Sequence, residues 1–509
     1  MVGATSPGQR RGVSFDGPLD LSNLAIVRQL RSVLERHGFT GTAVIEALGT
    51  ALPFAKAHLR DDMPLYLRRV AAPTPINTLV KLFVLDRSVD EARAAAAFAP
   101  LDLDDLRDLG LIEDGPRGVR AKLRLSAHEG LILAHDAYDE DKKTLRVDHV
   151  LDVNPTTISL SNMTVRRRVS RALEIGTGCG VLALLAARHA DTVVATDTNP
   201  RALNLACFNA AINGITNVEW RLGSLFDAVE GETFDLIFCN PPYVISPDSQ
   251  FIFRDGGRRG DSLCEEIVRQ TPRYLNDGGF ATVLINWAIR HNEEWDVPLL
   301  RWTASNGCDS WLMMSAAQDP TSYAAIWTRG RDRETYGAAL DRWVNYFDEL
   351  GLRAIGLGAV VLRKTSAQTP WVRADHLHDS ITAPAGADIE RLFAAEDRLA
   401  ILRDDETLLA QKLHTTSDHV LAQTLKFNAA GTYVIEGAEV RASGGLPFRG
   451  TVDLYSTQLL ARSDGTRKLS EIALDIATTY DLDAAKFRAA CPGIARKLIA
   501  SGFLVAPKL

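Results

Sequence analysis

Asn240-Pro241-Pro242-Tyr243 closes an apolar run, Phe234-Asp235-Leu236-Ile237-Phe238-Cys239. A run this short suits a buried strand, and two prolines cannot continue a ladder, so the chain must leave the sheet at Asn240. The four residues are therefore expected at a strand's C-terminal end, where open α/β sheets bind ligands. Neither Asn nor Pro titrates, so they offer no general base. They offer acceptors instead: the Asn240 side-chain oxygen and the Pro241 carbonyl. Two acceptors suit an NH2 group on a planar carbon, such as a glutamine amide or an adenine amine. The lone pair of such a nitrogen is delocalised, and two acceptors favour its localisation as a new bond forms. Tyr243 could stack on the planar group. The plainer alternative is a proline turn that merely ends a strand.

A second stretch weighs against that alternative. Leu173-Glu174-Ile175-Gly176-Thr177-Gly178-Cys179-Gly180 lies between a strand-like and a helix-like run. Its glycines allow positive φ and close approach of the backbone to a ligand. The spacing is GxGxG. Val181 stands where the dinucleotide fingerprint needs its last glycine, and no GK[ST] follows for a phosphate loop. Asp197, followed by Thr198, ends the next strand about 20 residues on, where an acidic group can accept from a ribose diol. Asn199 already caps the following helix, so Asp197 is free for that task. Ser224 and Leu225 follow the third strand and suit an adenine-contacting loop.

These pieces need a scaffold, and the pattern supplies one. Strands are expected at 172–175, 192–196, 218–222, 236–239 and 280–285, with helices at 181–187, 200–212 and 262–274 between them. The alternation predicts a doubly wound parallel sheet. Ser310–Ser315 and Ala359–Leu362 could form a closing hairpin around an insertion whose part 336–350 reads as helical. Residues 18–145 read as helices followed by a wing made of Val119–Leu125 and Leu131–Ala134. Residues 367–509 read as α+β, ending in helix, Gly502 and an apolar strand. Both flanks thus suggest winged-helix-like modules, whose use is either packing or docking of a partner. Met1 to Gly17 is polar, reads as a disordered tail and lacks the apolar core of a signal peptide.

The run from Leu173 to Tyr243 resembles class I S-adenosylmethionine-dependent methyltransferases, in motif order and spacing. The resemblance covers roughly Asp148 to Trp287. It implies the fold class: α/β, a Rossmann-like doubly wound seven-stranded sheet at 146–366, flanked by the winged-helix-like domains 18–145 and 367–509. It implies S-adenosyl-L-methionine as cofactor. Glu174, Gly176, Thr177, Gly178 and Gly180 would lie by its methionine part and Asp197 and Thr198 by its ribose. Ser224 and Leu225 would lie by its adenine, with Asn240 beside the reacting centre. Many relatives carry an acidic residue where this chain has Ser224. The catalytic residues implied are Asn240, Pro241, Pro242 and Tyr243. Within the superfamily the NPPY motif is similar to that of release-factor glutamine methyltransferases and of N6-adenine methyltransferases. Asp255-Gly256-Gly257-Arg258-Arg259-Gly260-Asp261 partly matches a stretch of the former.

Composition narrows the rest. No apolar run approaches the ~20 residues that span a bilayer. Six scattered cysteines without a CxxC pair indicate reduced thiols, a cytoplasmic protein and no zinc site. His376 and His378 sit between Asp375 and Asp379, but no further ligand set accompanies them, and no metal is expected. A net charge of −7 gives no global attraction to nucleic acid, although Arg166, Arg167, Arg168, Arg171, Arg254, Arg258 and Arg259 could form a local basic face. The expected acceptor is macromolecular: a protein glutamine first, an RNA or DNA base second. The rivals are a small-molecule methyltransferase and a non-catalytic cofactor-binding regulator. The oligomeric state is not legible.

Overall fold

The computed structural model describes residues 15–50, 62–137, 145–329, 333–377 and 381–507. Most of the expected tail and His378 lie outside the described residues. The chain forms two compact units, the first from residues up to 157, 167–308 and 317–367, the second from 158–166, 309–316 and 368–509. The expected division between 145 and 146 falls inside the first unit, and the later one lies next to its end.

The first unit is built on a sheet. Its strands are β1 (Val169–Ile175), β2 (Ala190–Asp197), β3 (Val218–Leu222), β4 (Phe234–Cys239), β5 (Leu275–Arg290) and β6 (Leu352–Lys364). The order is β6-β5-β4-β1-β2-β3, parallel except for β6, which runs antiparallel to β5. Helices α1 (Val181–Ala186), α2 (Pro200–Asn213) and α3 (Ser262–Gln270) connect the strands. β1 and β4 are buried along nearly their whole length, which explains apolar runs instead of alternation. The strand order reverses between β1 and β4, so the crevice beyond their C-terminal ends is the place for a ligand.

Seven strands were expected; six lie wholly within the first unit, and the sheet order continues from β6 through Cys308–Gln318 to Val372–His376. Ser310–Ser315 falls in the strand Cys308–Gln318, of which Ser310–Met314 pair in parallel with Val372–His376. The N-terminal wing needs correction. Residues 112–136 make two hairpins, Ile112–Gly115 with Gly118–Ala121 and Leu123–His128 with Leu131–Asp136. The turn Glu129-Gly130 has positive φ at both residues, 45° and 77°, the geometry that suits a two-residue hairpin and sets its register. The second hairpin is no free wing. Ala134 N donates to Asn209 Oδ1 of α2 at 2.6 Å, and Asn209 Nδ2 donates back to Ala134 O at 3.0 Å. The end of the expected tail is likewise held to α2: Asn204 Nδ2 donates to Phe15 O at 3.2 Å and Leu19 O at 2.9 Å.

The second unit has an antiparallel sheet, His419–Phe427 with Tyr433–Ala442 with Arg449–Val452. Helices Leu454–Arg462, Leu469–Thr479 and Ala484–Ala500 follow, and Leu504–Val505 pairs with His414–Thr415. Ile472, Ile476, Leu498 and Phe503 sit in its core. Among the described residues no helix is long and apolar enough to cross a membrane, and no group of three metal-ligating side chains occurs.

Candidate active site

Beyond the ends of β1 and β4 lies a cleft of about 410 Å3. Its cofactor side begins where β1 ends. Gly176, Gly178 and Gly180 all have positive φ, 74°, 56° and 85°, which L side chains adopt only at a cost. At Gly180 space is also short, since a Cβ would stand 3.0 Å from Ala206 and from Trp220. Gly180 caps α1 but has no side chain to do so. Glu174 supplies the missing acceptor: its Oε2 takes Ala183 N at 2.9 Å and Thr177 Oγ1 at 2.5 Å. Glu174 thus stiffens the loop as well as facing the cleft.

Asp197, at the end of β2, accepts Gly178 N at 2.8 Å and Asn199 N at 2.9 Å. A carboxylate has about four lone-pair sites, so both oxygens keep capacity for ligand hydroxyls. Burial pushes the Glu174 carboxyl up to about 8, although the Thr177 and Ala183 bonds pull the other way. Burial raises Asp197 as well, against bonds from Gly178 and Asn199. Neither has a cationic partner among the described residues. Two carboxyl groups without a cationic partner, beside a glycine loop that has no side chains to fill the cleft, fit a ligand that carries hydroxyls and positive charge.

The opposite wall is the loop after β4. Asn240, Pro241 and Pro242 line the cleft. Tyr243 N donates to Pro241 O at 2.8 Å, so one lone pair of that expected acceptor is already used and one remains. Asn240 Nδ2 donates to Thr156 Oγ1 at 3.4 Å, and Thr156 Oγ1 donates to Asn154 Oδ1 at 2.7 Å. No described group donates to Asn240 Oδ1. Glu174, Gly176, Thr177, Gly178, Asp197, Thr198, Ser224 and Leu225 also line the cleft. Gly180 and Tyr243 do not. Gly180 serves the approach of α1 to α2. Tyr243 packs against the apolar cluster of Trp343, Phe347, Leu352 and Ile355, and burial raises its hydroxyl pKa, with Thr156 opposing.

Asn154, Phe251 and Phe253 line the cleft and escaped the sequence reading. Asn154 starts the helix Pro155–Met163 by accepting Thr157 N at 3.0 Å; Asn before Pro was the available signal. Phe251 and Phe253 stack at 5.5 Å in the loop beyond Tyr243. Arg254 and Asp255 form an ion pair at 2.8 Å with side-chain exposures of only 8% and 1%. Gly256 belongs to the partly matching stretch, and a Cβ there would meet Pro242 O at 3.1 Å and Leu263 Cδ2 at 2.6 Å. The stretch therefore packs on the proline turn itself. The insertion between β5 and β6 bolts this loop down. Trp343 Nε1 donates to Asp248 Oδ2 at 3.1 Å, Arg342 pairs with the same carboxylate, and Gly260 N donates to Tyr346 OH at 2.7 Å.

Residues 148–295 match the methyltransferase small domain family. This stretch is a class I methyltransferase domain. Residues 36–122 match a domain family of unknown function. Relatives of the methyltransferase domain include a release factor glutamine methyltransferase of Xylella fastidiosa, 35% identical over 130 residues, 23% of this chain and 47% of that protein. The same-named protein of Cereibacter sphaeroides is 35% identical over 143 residues, 25% of this chain and 51% of that protein. A ribosomal protein uL3 glutamine methyltransferase of Bordetella pertussis is 33% identical over 139 residues, 25% of this chain and 47% of that protein. The chain spans about half the length of these curated relatives.

Proposed function

We propose that the protein is an S-adenosylmethionine-dependent N-methyltransferase whose acceptor is the side-chain amide of a glutamine in a protein. The observation that carries this reading is Asn240. It stands at the cleft beyond the end of β4, across from the glycine loop, with its amide NH2 engaged by Thr156 and its oxygen without a protein donor. The remaining lone pair of Pro241 O is the second acceptor. When bound, S-adenosylmethionine supplies an electrophilic methyl group on a sulfonium. The glycine loop and Glu174 would hold its methionine part, Asp197 and Thr198 its ribose, and Ser224 and Leu225 its adenine. Asn240 and Pro241 hold the two hydrogens of the acceptor NH2, so that nitrogen lone-pair density turns out of the amide plane as the N–C bond forms. The displaced proton leaves to water, since the loop offers no base. Tyr243 supports this loop from behind.

The basic groups speak for protein over nucleic acid. Arg168 pairs with Asp191 at 2.7 Å, Arg171 with Glu232 at 2.5 Å, Arg254 with Asp255, and Arg258 with Glu266. Paired guanidinium groups release few counterions to phosphate. The relatives' names point the same way. The test is transfer of tritium from labelled S-adenosylmethionine into a cell lysate, followed by protease or nuclease digestion. Label released by protease and confined to glutamine supports the reading; label released by nuclease, or none in any fraction, contradicts it.

A further inference from the structure

Hydrogen-bond polarity around Asn240 decides which end of its amide faces the acceptor. We propose that Thr156 and Asn154 are positioning residues that lock the Asn240 oxygen toward the cleft; this rests on the reading of Asn240 as a clamp for an NH2 group. An amide's oxygen and nitrogen are near-equivalent in shape, so the neighbours must assign them. The chain of assignment starts at a group that cannot be reversed. The backbone N–H of Thr157 only donates, and it lies 3.0 Å from one head atom of Asn154. That atom is therefore the oxygen, and Thr157 Oγ1 at 3.2 Å also donates to it.

An amide oxygen only accepts, so Thr156 Oγ1, 2.7 Å away, must give it its one hydrogen. With that hydrogen committed, Thr156 presents lone pairs alone to its other neighbours, the Asn240 head group and the Tyr243 hydroxyl. The Asn240 head atom at 3.4 Å must then be the NH2 group. A flipped Asn240 would set its oxygen against those lone pairs and turn its NH2 toward the substrate's NH2, donor against donor. A helix start thus dictates the polarity of the clamp through two side chains. Thr156 does not itself line the cleft, which makes it a positioning residue.

The test uses the full chain, labelled with 15N at asparagine, with the Asn240 side-chain NH2 signals assigned by their loss in Asn240→Ala. In Thr156→Val those signals should shift and their protons should exchange with water about tenfold faster. With a peptide chain release factor as protein probe, kcat should fall about tenfold and the cofactor KM should stay within about twofold. Thr156→Ser should restore both readouts. Asn154→Ala acts from the far end of the chain: it frees the Thr156 hydrogen and should also loosen the Asn240 signals. Unchanged Asn240 signals in both Thr156→Val and Asn154→Ala would overturn the proposal. Signals that respond as stated, in a protein that labels no glutamine, would uphold the lock and overturn the glutamine reading instead.

Discussion

At the scale of residues, the proposed function gives Asn240 and Glu174 different tasks. On that reading Asn240 is the acceptor clamp. Asn240→Ala should lower kcat by about 100- to 1000-fold, as loss of one preorganised transition-state hydrogen bond does. Cofactor affinity measured by calorimetry should change little, because Asp197 and the glycine loop stay intact. Glu174 gives a pH signature. An unfolded glutamate titrates near ~4.3, whereas burial pushes Glu174 up to about 8. Between these values the native state keeps a proton that the unfolded chain has released. The stabilisation is full below the unfolded value and is lost as pH rises through the folded one. Glu174→Gln keeps an acceptor for Thr177 and Ala183 and cannot ionise. Its Tm should therefore fall less than that of the wild type between about pH 5 and about pH 8, with Asp197 leaving part of the slope. Asn240 and Asp197 were legible because each ends a strand and is followed by a helix or loop signal. Thr156 was not, because its role depends on a contact across 84 residues of sequence.

At the scale of elements, periodicity made the five parallel strands and α1 to α3 legible, since buried strands and capped helices leave local marks. The second hairpin was misread because its strands look alike whether they project as a wing or dock on α2. What decides is Asn209 and Asn213, 75 or more residues away. The insertion was recognised as helical but its task was not visible. Tyr346 and Trp343 act on Gly260 and Asp248, a tie that only folding brings together. Tyr346→Phe removes the acceptor for Gly260 N and should cost about 0.5–1.5 kcal/mol in chemical denaturation. Because the tie lies behind the loop after Tyr243, the same variant should raise KM for the protein acceptor and leave the cofactor KM unchanged. Gly180→Ala places a Cβ at positive φ between Ala206 and Trp220. It should cost about 1–2 kcal/mol from the left-handed backbone alone, with crowding added to it.

At the scale of the whole molecule, the chain does not divide into consecutive beads. The second unit takes residues 158–166 and 309–316 from within the span expected to be the methyltransferase domain. Trp311 is 1% exposed, stacks on Phe448 at 5.8 Å and donates to Asp375 Oδ2 at 2.6 Å. A chain ended at residue 366 would strip those partners. Its loss should equal or exceed the ~3–5 kcal/mol of deleting a buried Trp, read as a lowered Tm or as aggregation on gel filtration. The central claim remains the atom that receives the methyl group. Its most direct test is peptide mapping by mass spectrometry of a peptide chain release factor incubated with S-adenosylmethionine and the full chain. The account predicts one added methyl group on a glutamine side chain, absent with Asn240→Ala. Methylation of a different residue type, or an equal yield from Asn240→Ala, would contradict it.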